Sequence, residues 1–418
     1  MFNLGIDIGT TSITTIITKN EEIVEVLSDK NEFIKTDEAF SFIQDPKRII
    51  QIVQNQINYF FDKYDSIDFI GVTGQMHGIL YTNSNYDLLS PLYTWCDQRG
   101  AEIINGKSYK ELAYEKTNVD VPIGYGLITH FYNLKNDLVP KCDYIISTVY
   151  DYLANYLSHS NKLTLHSSSA ASLGFYNLEE NEFLFDILKI LGIKKKNIPD
   201  VTPKIKDLGT YKGAKVYVAI GDNQASYLGA TKGEKALLIN FGTGSQISIS
   251  TNKIVKTDNC EIRPYLENDY LIVGASLCGG KSFEALARFY QSITNEPLED
   301  IYTKLTNTEL IDTDVEFKPL FLGTRKDPSI KASINGLNLK NFNIENFTIS
   351  LLNGMVDELY TFYQDMKYVP FNQIVGSGNG LRKNELLQKI TEKRFNKKLI
   401  LNEIKEEAAY GACLYFRR

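Results

Sequence analysis

Asp222 stands between Gly221 and Asn223, just past the β-rich run Lys215–Ile220. A carboxylate at the end of a strand can reach into a cleft and take a proton from a hydroxyl. It can equally cap the helix that follows. A second carboxylate, Asp7, precedes a turn of glycine and small hydroxyl residues in Leu4-Gly5-Ile6-Asp7-Ile8-Gly9-Thr10-Thr11-Ser12-Ile13. It suits Mg2+ held through water, because that ion keeps much of its hydration, or the local role of an Asx turn. His77, one of 4 histidines, lies in Gly74-Gln75-Met76-His77-Gly78, where the glycines allow close backbone approach. It reads either as a site group or as a structural histidine. The lone tryptophan, Trp95, stands beside Asp97 and Arg99. That combination suits a polyol, or a surface ion pair.

The Asp7 turn joins two β-forming runs and reads as a hairpin. The design recurs at Leu237-Leu238-Ile239-Asn240-Phe241-Gly242-Thr243-Gly244-Ser245-Gln246-Ile247-Ser248-Ile249, with Asn240 in the place of Asp7. Two such hairpins heading two halves of one chain look like an internal repeat. Backbone N–H groups and hydroxyls gathered at such turns bind anions, phosphate above all, and two of them could hold a polyphosphate from both sides. A further glycine-rich loop, Gly376-Ser377-Gly378-Asn379-Gly380, follows a β-run and precedes a helix, a place where a nucleotide could lie. Phosphoryl transfer asks for positioning, charge neutralisation and a base for the attacking hydroxyl. This set has candidates for each, and no serine–histidine nucleophile system or His/Cys metal cluster competes with it.

Elements must bring these groups together. Residues 4–8, 12–18 and 22–28 read as successive strands, and Pro46 opens a helix to Tyr64 with Ile49, Ile50, Val53, Ile57, Phe60 and Phe61 on one face. With the strand Phe69–Thr73 they make a mixed sheet with a crossover helix. Helices are predicted near 100–116, 127–138, 149–158 and 183–192, with Asp143–Ser147 a strand among them. Lys194–Lys196, Pro199 and Pro203 mark the end of the first half. The second half has the hairpin at 237–249, strands near 270–275 and 372–376, and helices near 281–294, 345–364, 382–393 and 404–417. In open α/β sheets ligands bind beyond the carboxyl ends of strands. Asp7, Gln75–His77, Asp222–Asn223 and the 376–380 loop all fall at such ends.

A chain of 418 residues favours two domains. Its 43% apolar and 23% charged content is that of a globular protein, and a net charge of −6 with neither sign clustered argues against a nucleic-acid partner. The 5 cysteines show no C-x-x-C spacing, so reduced thiols are expected. A strand begins at once, without the pattern of a secretory leader, and no apolar run approaches a membrane helix. A soluble, cytoplasmic protein with no membrane partner is the expectation.

Together these motifs identify a resemblance. The chain resembles the FGGY carbohydrate kinases of the actin/hexokinase/heat-shock-70 superfamily. Asp7–Ser12 is similar to the first phosphate loop, Gly74–Gly78 to the sugar-binding segment shared with xylulokinases, Trp95–Arg99 to the family's Trp-x-Asp-x-Arg segment, and Ala219–Ser226 to the strand carrying the catalytic aspartate. Asn240–Ser245 resembles the second phosphate loop. Gly274-Ala275-Ser276-Leu277-Cys278-Gly279-Gly280 and Gly376–Asn379 resemble the nucleotide-binding segments, and Glu407–Ala412 the closing helix, from which a complete chain is expected. Gly124-Tyr125-Gly126, Ser168–Tyr176, Gly221–Ser226 and Leu322-Gly323-Thr324-Arg325 look most like the sedoheptulokinase group.

The resemblance implies an α/β fold of two ribonuclease-H-like, actin-like ATPase domains related by the pseudo-repeat, with the active site in the interdomain cleft. The first, 1–218, would bind the sugar and carry the first phosphate loop; the second, 219–418, would bind the nucleotide and carry the catalytic Asp222. The implied reaction moves the γ-phosphate of ATP, with Mg2+, to a terminal hydroxyl of a ketose, sedoheptulose first. Xylulose, ribulose, glycerol and gluconate are the neighbouring alternatives. Asp222 would be the base and, with Asp7, a metal-site residue. Gln75, Met76, His77, Asp97, Asp222 and Asn223 would line the sugar site. Thr10, Thr11, Ser12, Gly242, Thr243, Gly244, Gly279, Gly280, Gly376, Gly378 and Asn379 would hold the nucleotide. Dimers are common in the family, so a homodimer is expected. A non-enzymatic ATP-binding protein of the actin type is the contrasting class, against which Asp222 and the 74–78 segment speak, and intact phosphate loops speak against a sugar sensor. Two departures bear on sugar specificity. The family's first signature expects a lysine and a tryptophan where the chain reads Leu127-Ile128-Thr129-His130-Phe131-Tyr132-Asn133, and the chain is compact for the family.

Overall fold

The computed structural model describes residues 1–417. They form two compact units. The first contains Met1–Lys232, Arg263–Asp269 and the chain from Ile404 onward; the second contains Gly233–Ile262 and Tyr270–Glu403. The expected junction at 218/219 lies inside the first unit. Ile220–Gly221 pairs with the strand Phe69–Gly74 of the first unit's sheet, so the chain cannot leave that unit before Asp222.

The first unit's sheet is built on β1 (Phe2–Ile8), β2 (Ser12–Lys19), β3 (Glu22–Lys30), β4 (Phe69–Gly74), β5 (Asp207–Tyr211), β6 (Ala214–Tyr217) and β7 (Ile220–Gly221). They run in the order β5–β6–β4–β1–β2–β3, with β7 also paired to β4. The hairpin forms as expected, with Asp7 opposite Thr14 and Ile8 opposite Ile13. Leu4, Ile6, Ile8, Ile13 and Ile17 pack on Ile49, Val53, Ile57 and Phe60 of the helix Pro46–Lys63. That helix starts where Pro46 fixes the first turn and the Asp45 side chain accepts the N–H of Lys47 at 2.9 Å.

Gly5 and Gly71 are neighbours across β1 and β4. A Cβ on either would overlap the backbone carbonyl of Ala409 or Ala412, because the helix Glu407–Ala412 lies directly on the sheet there. The helix Asp222–Thr231 crosses Glu407–Ala412 backbone to backbone, at Gly229 and Gly411. Four glycines thus seat Asp222's helix at a fixed height above the sheet.

The second unit repeats the arrangement. Its strands β8 (Ala236–Phe241), β9 (Ser245–Thr251), β10 (Tyr270–Ser276), β11 (Gln373–Ser377) and β12 (Leu399–Leu401) run in the order β10–β9–β8–β11–β12. As in the first unit, an antiparallel hairpin is flanked by a third antiparallel strand and, on the other side, by a parallel one. Leu237, Ile239 and Phe241 pack on Leu352, Met355 and Leu359 of the crossover helix Ile344–Asp365. The internal repeat read from the two hairpins is therefore a repeat of fold.

Several element boundaries differ from expectation. The helix predicted over 100–116 begins at Tyr109, because Ser108 and Glu111 form a capping box there and a short hairpin occupies Ile103–Ser108. The closing helix spans Glu407–Ala412 within the predicted 404–417. A short helix at Ser167–Leu173 was not expected, since serine competes locally with helical hydrogen bonding. Among the described residues no helix is long and apolar enough to cross a membrane.

Candidate active site

In the register of the first sheet, Asp7 and Ile220 both lie opposite Thr73. Strands β1, β4 and β7 are parallel there, so their carboxyl ends share one edge, and Asp7 and Asp222 meet at it. Burial pushes the Asp7 carboxyl up to about 7, and the negative charges of Asp222 and Glu406 push in the same direction. Burial likewise raises Asp222, to about 6, while the Arg263 guanidinium and the Asn223 backbone N–H restrain the rise. The Oδ1 of Asp7 is buried with no hydrogen-bond partner. Among the described residues no three His, Cys, Asp or Glu side chains are grouped to hold a metal ion directly. A lone unpartnered carboxylate oxygen beside other acidic groups suits a divalent cation bound through its own water. Arg263 and Glu406 were missed in the sequence: each arrives on a segment far from Asp7 and Asp222, with no motif to flag it.

The expected sugar residues divide. The carboxylate of Asp97 is fully buried. Its Oδ1 accepts the Arg99 side chain at 2.6 Å and the Arg99 backbone N–H at 3.1 Å. Its Oδ2 accepts Arg99 and the Phe42 N–H, both at 3.1 Å. Arg99 goes on to Asn133 at 2.7 Å and lies over the Tyr93 ring at 4.2 Å. Asp97 is thus a buried anion whose oxygens are engaged within the protein. Gln75 is also buried: its amide donates to Gln44 at 2.8 Å and its oxygen accepts the Thr10 hydroxyl at 3.3 Å. It props the first loop, and its polar atoms are spent within the protein. Met76 is 4% exposed and packs under Gly221, where a Cβ would lie 2.6 Å from its sulfur.

His77 and Asn223 keep site-like geometry. His77 has φ +73° and sits in a turn closed by Gly78 N–H to Met76 C=O at 2.9 Å, a strained three-residue turn. Its ring stacks on Tyr125 at 4.1 Å. Asn223 is half-buried, and its Oδ1 has no hydrogen-bond partner.

The loops expected to hold phosphate are braced from behind. Asn31 donates to the Gly9 carbonyl at 2.8 Å and Gln44 to the Thr10 carbonyl at 2.7 Å. The Thr10 hydroxyl is engaged too, accepting the Trp95 ring N–H at 2.9 Å. Thr11 and Ser12 stay exposed at the tip. In the second unit the Gly279 and Gly280 N–H groups donate to the carbonyls of Thr243, at 3.1 Å, and Gly242, at 2.8 Å. The 242–244 loop and the start of the helix Gly280–Thr294 thus touch backbone to backbone, and a Cβ on Gly279 would overlap Gly244. Gly376 sits under Leu399 and Leu381. Gly378, with φ +86°, presses against Asn240 and Phe241, and Asn379 opens the short helix Gly378–Arg382 beside it. Asn240 Oδ1 is buried with no partner, the counterpart of Asp7 without its charge.

In sequence and fold the chain is similar to known proteins. The pattern of the N-terminal domain of the FGGY family of carbohydrate kinases matches residues 2–229. The sedoheptulokinase of Mus musculus is 25% identical, over 98% of this chain and 96% of that protein. The xylulose kinase of Staphylococcus xylosus is 24% identical, over 98% and 89%. The crystal structure of gluconate kinase from Lactobacillus acidophilus superposes with a TM-score of 0.81 at 21% identity, covering 100% of this chain and 88% of that one.

Proposed function

The chain belongs to the FGGY family of carbohydrate kinases, and from that premise we propose that it phosphorylates a terminal hydroxyl of sedoheptulose with ATP and Mg2+. The observation that carries the reading is the pair of carboxylates at the ends of the two strands that flank β4. Asp222 is raised to about 6 and so is mostly ionised at neutral pH, yet basic enough to take a proton.

When bound, ATP with Mg2+ supplies the transferable γ-phosphoryl group and neutralises charge on it. In this reading the braced loop at Gly9–Ser12 takes phosphate in the first unit, and the loops at Gly242–Gly244, Gly279–Gly280 and Gly376–Asn379 bind nucleotide in the second. Asp7, with its unpartnered Oδ1, holds the ion through water, next to Asp222. Asp222 accepts the hydroxyl proton as the sugar oxygen forms its bond to phosphorus and the bond to the leaving diphosphate breaks. His77 and Asn223 orient the sugar, with Met76 as an apolar wall.

Sedoheptulose is favoured because segments resembling that subgroup surround His77. Tyr125 stacks on its ring and Ser172 bonds its backbone. A site that pairs buried groups with particular hydroxyls discriminates strongly. The test is ADP release with Mg·ATP across ketoses, polyols and aldonates, with sedoheptulose expected to give the highest kcat/KM. A preference for xylulose, glycerol or gluconate by tenfold or more overturns the sugar assignment. Equal ADP release with and without any sugar overturns the kinase reading itself.

A further inference from the structure

The short helix Ser167–Leu173 touches both halves of the first unit's chemistry. His166, which precedes it, faces the Pro203 carbonyl through Nε2 at 3.1 Å. A carbonyl only accepts, so Nε2 carries the proton, and the fully buried ring is neutral. Its Nδ1 must then be the acceptor, and it faces both the Ser168 backbone N–H, at 3.1 Å, and the Ser168 hydroxyl, at 2.8 Å. The Ser168 oxygen in turn accepts the backbone N–H of Gly221 at 3.3 Å. This chain of hydrogen bonds ends on the residue before Asp222.

The other end of the helix holds His77. Ser172 gives its hydroxyl proton to the Ser169 carbonyl at 2.7 Å and accepts the His77 backbone N–H at 3.3 Å. The Ser172 carbonyl meets His77 Nδ1 at 2.8 Å. That carbonyl likewise only accepts, so Nδ1 carries the proton and Nε2 of a neutral ring is an acceptor for a sugar hydroxyl. The contact also restrains a residue in the left-handed region, where histidine does not rest unaided. Ser168 and Ser172 are one helical turn apart, on one face, and both are buried.

We propose that Ser168 and Ser172 are paired positioning residues: one turn of helix sets the separation between the proton-accepting Asp222 and the sugar-orienting His77. Gly221 has no side chain by which to be held, and Met76 fills the space a Cβ would need. Its N–H is the handle. The inference rests on the reading of Asp222 and His77 given above. It makes the two serines kinetically separable, which a purely structural helix does not.

The test is steady-state kinetics and thermal melting of Ser168→Ala, Ser172→Ala, Ser168→Thr and Asp222→Asn in the full-length protein. Ser168→Ala is expected to lower kcat roughly tenfold with the sugar KM nearly unchanged, and Ser172→Ala to raise the sugar KM roughly tenfold with kcat retained. Ser168→Thr, which keeps the hydroxyl, is expected to retain more kcat than Ser168→Ala. Both alanine variants moving kcat and KM alike, or shifting only the melting temperature, overturns the proposal while leaving the base assignment intact. Near-normal turnover by Asp222→Asn overturns the reading beneath it.

Discussion

Replacing Asp7 by asparagine is expected to stabilise the metal-free protein at pH 8 while abolishing its cation-dependent activity. Burial and the neighbouring charges of Asp222 and Glu406 raise this carboxyl from 3.8 to about 7. Between those values the native state holds a proton that the unfolded chain has released, so stability falls as pH rises through that window. Above pH 7 the native carboxylate is charged and the whole penalty stands. At about 1.4 kcal/mol per pH unit, the rise amounts to at most about 4 kcal/mol. Asparagine keeps the shape and has no proton to lose. The variant's advantage should therefore be largest at pH 8, on the order of 4 kcal/mol, and shrink to less than half of that at pH 5.

The lone tryptophan makes the measurement local. Trp95 lies in the first unit and donates its ring N–H to Thr10, so its fluorescence reports unfolding of the unit that holds Asp7. Urea unfolding with EDTA at pH 5 and pH 8, for wild type and Asp7→Asn, gives the four stabilities needed. Added Mg2+ should narrow the gap at pH 8 by stabilising the wild type alone. An Asp7→Asn protein no more stable than wild type at pH 8, or an advantage that does not change with pH, would refute the claim that this carboxylate is held unpaired for a cation.

Asp222→Asn should keep ATP binding, followed by calorimetry, yet lose kcat by several orders of magnitude, since the neighbouring carboxylate, Asp7, is given to the cation in the proposed reading. The wild-type kcat/KM should fall below about pH 6 with a one-proton slope, because Asp222 is raised to about 6 and must be ionised to act; a flat profile down to pH 5 would contradict the base assignment. Asp97→Ala should cost about 3–5 kcal/mol in urea unfolding by stranding the buried Arg99, with the sugar KM of the folded fraction unchanged. Gly411→Ala should destabilise by more than the usual 1–3 kcal/mol of an overpacked methyl, read in the same unfolding assay, because the obstacle is the Ala225 carbonyl and not a movable side chain.

The hairpins were legible because their information is local: β-branched runs, small turn residues and one polar residue before each turn survive any packing. The same holds for the helix Pro46–Lys63, whose cap, proline and apolar face lie within one segment. What was not legible is what distant segments bring. Arg263 restrains Asp222, and Glu406 raises Asp7, from pieces of chain that join the first unit only through folding. The partners of Asp97 were hidden for the same reason. The Trp-x-Asp-x-Arg spacing is compatible with a sugar or an ion pair, and only burial shows that Arg99 takes its oxygens. The Leu127–Asn133 segment, which departs from the family signature, supplies Asn133 to that Arg99 network, and its His130 bonds Tyr81 at 2.8 Å. Its departure is taken up, in part, in the core.

The two hairpins divide labour through one atom. Asp7 and Asn240 occupy equivalent places at the end of the first strand of each sheet, and each has a buried Oδ1 without a partner. An unpartnered buried oxygen costs stability, so its recurrence in both halves of the repeat points to a requirement of the bound state. Beside a phosphate a carboxylate attracts a cation, whereas an amide adds no charge to repel the phosphate. Charge in one half and a neutral dipole in the other meets both demands. In the proposed reading the base belongs with the charged half: Asp222 follows β7 in the sheet that carries Asp7.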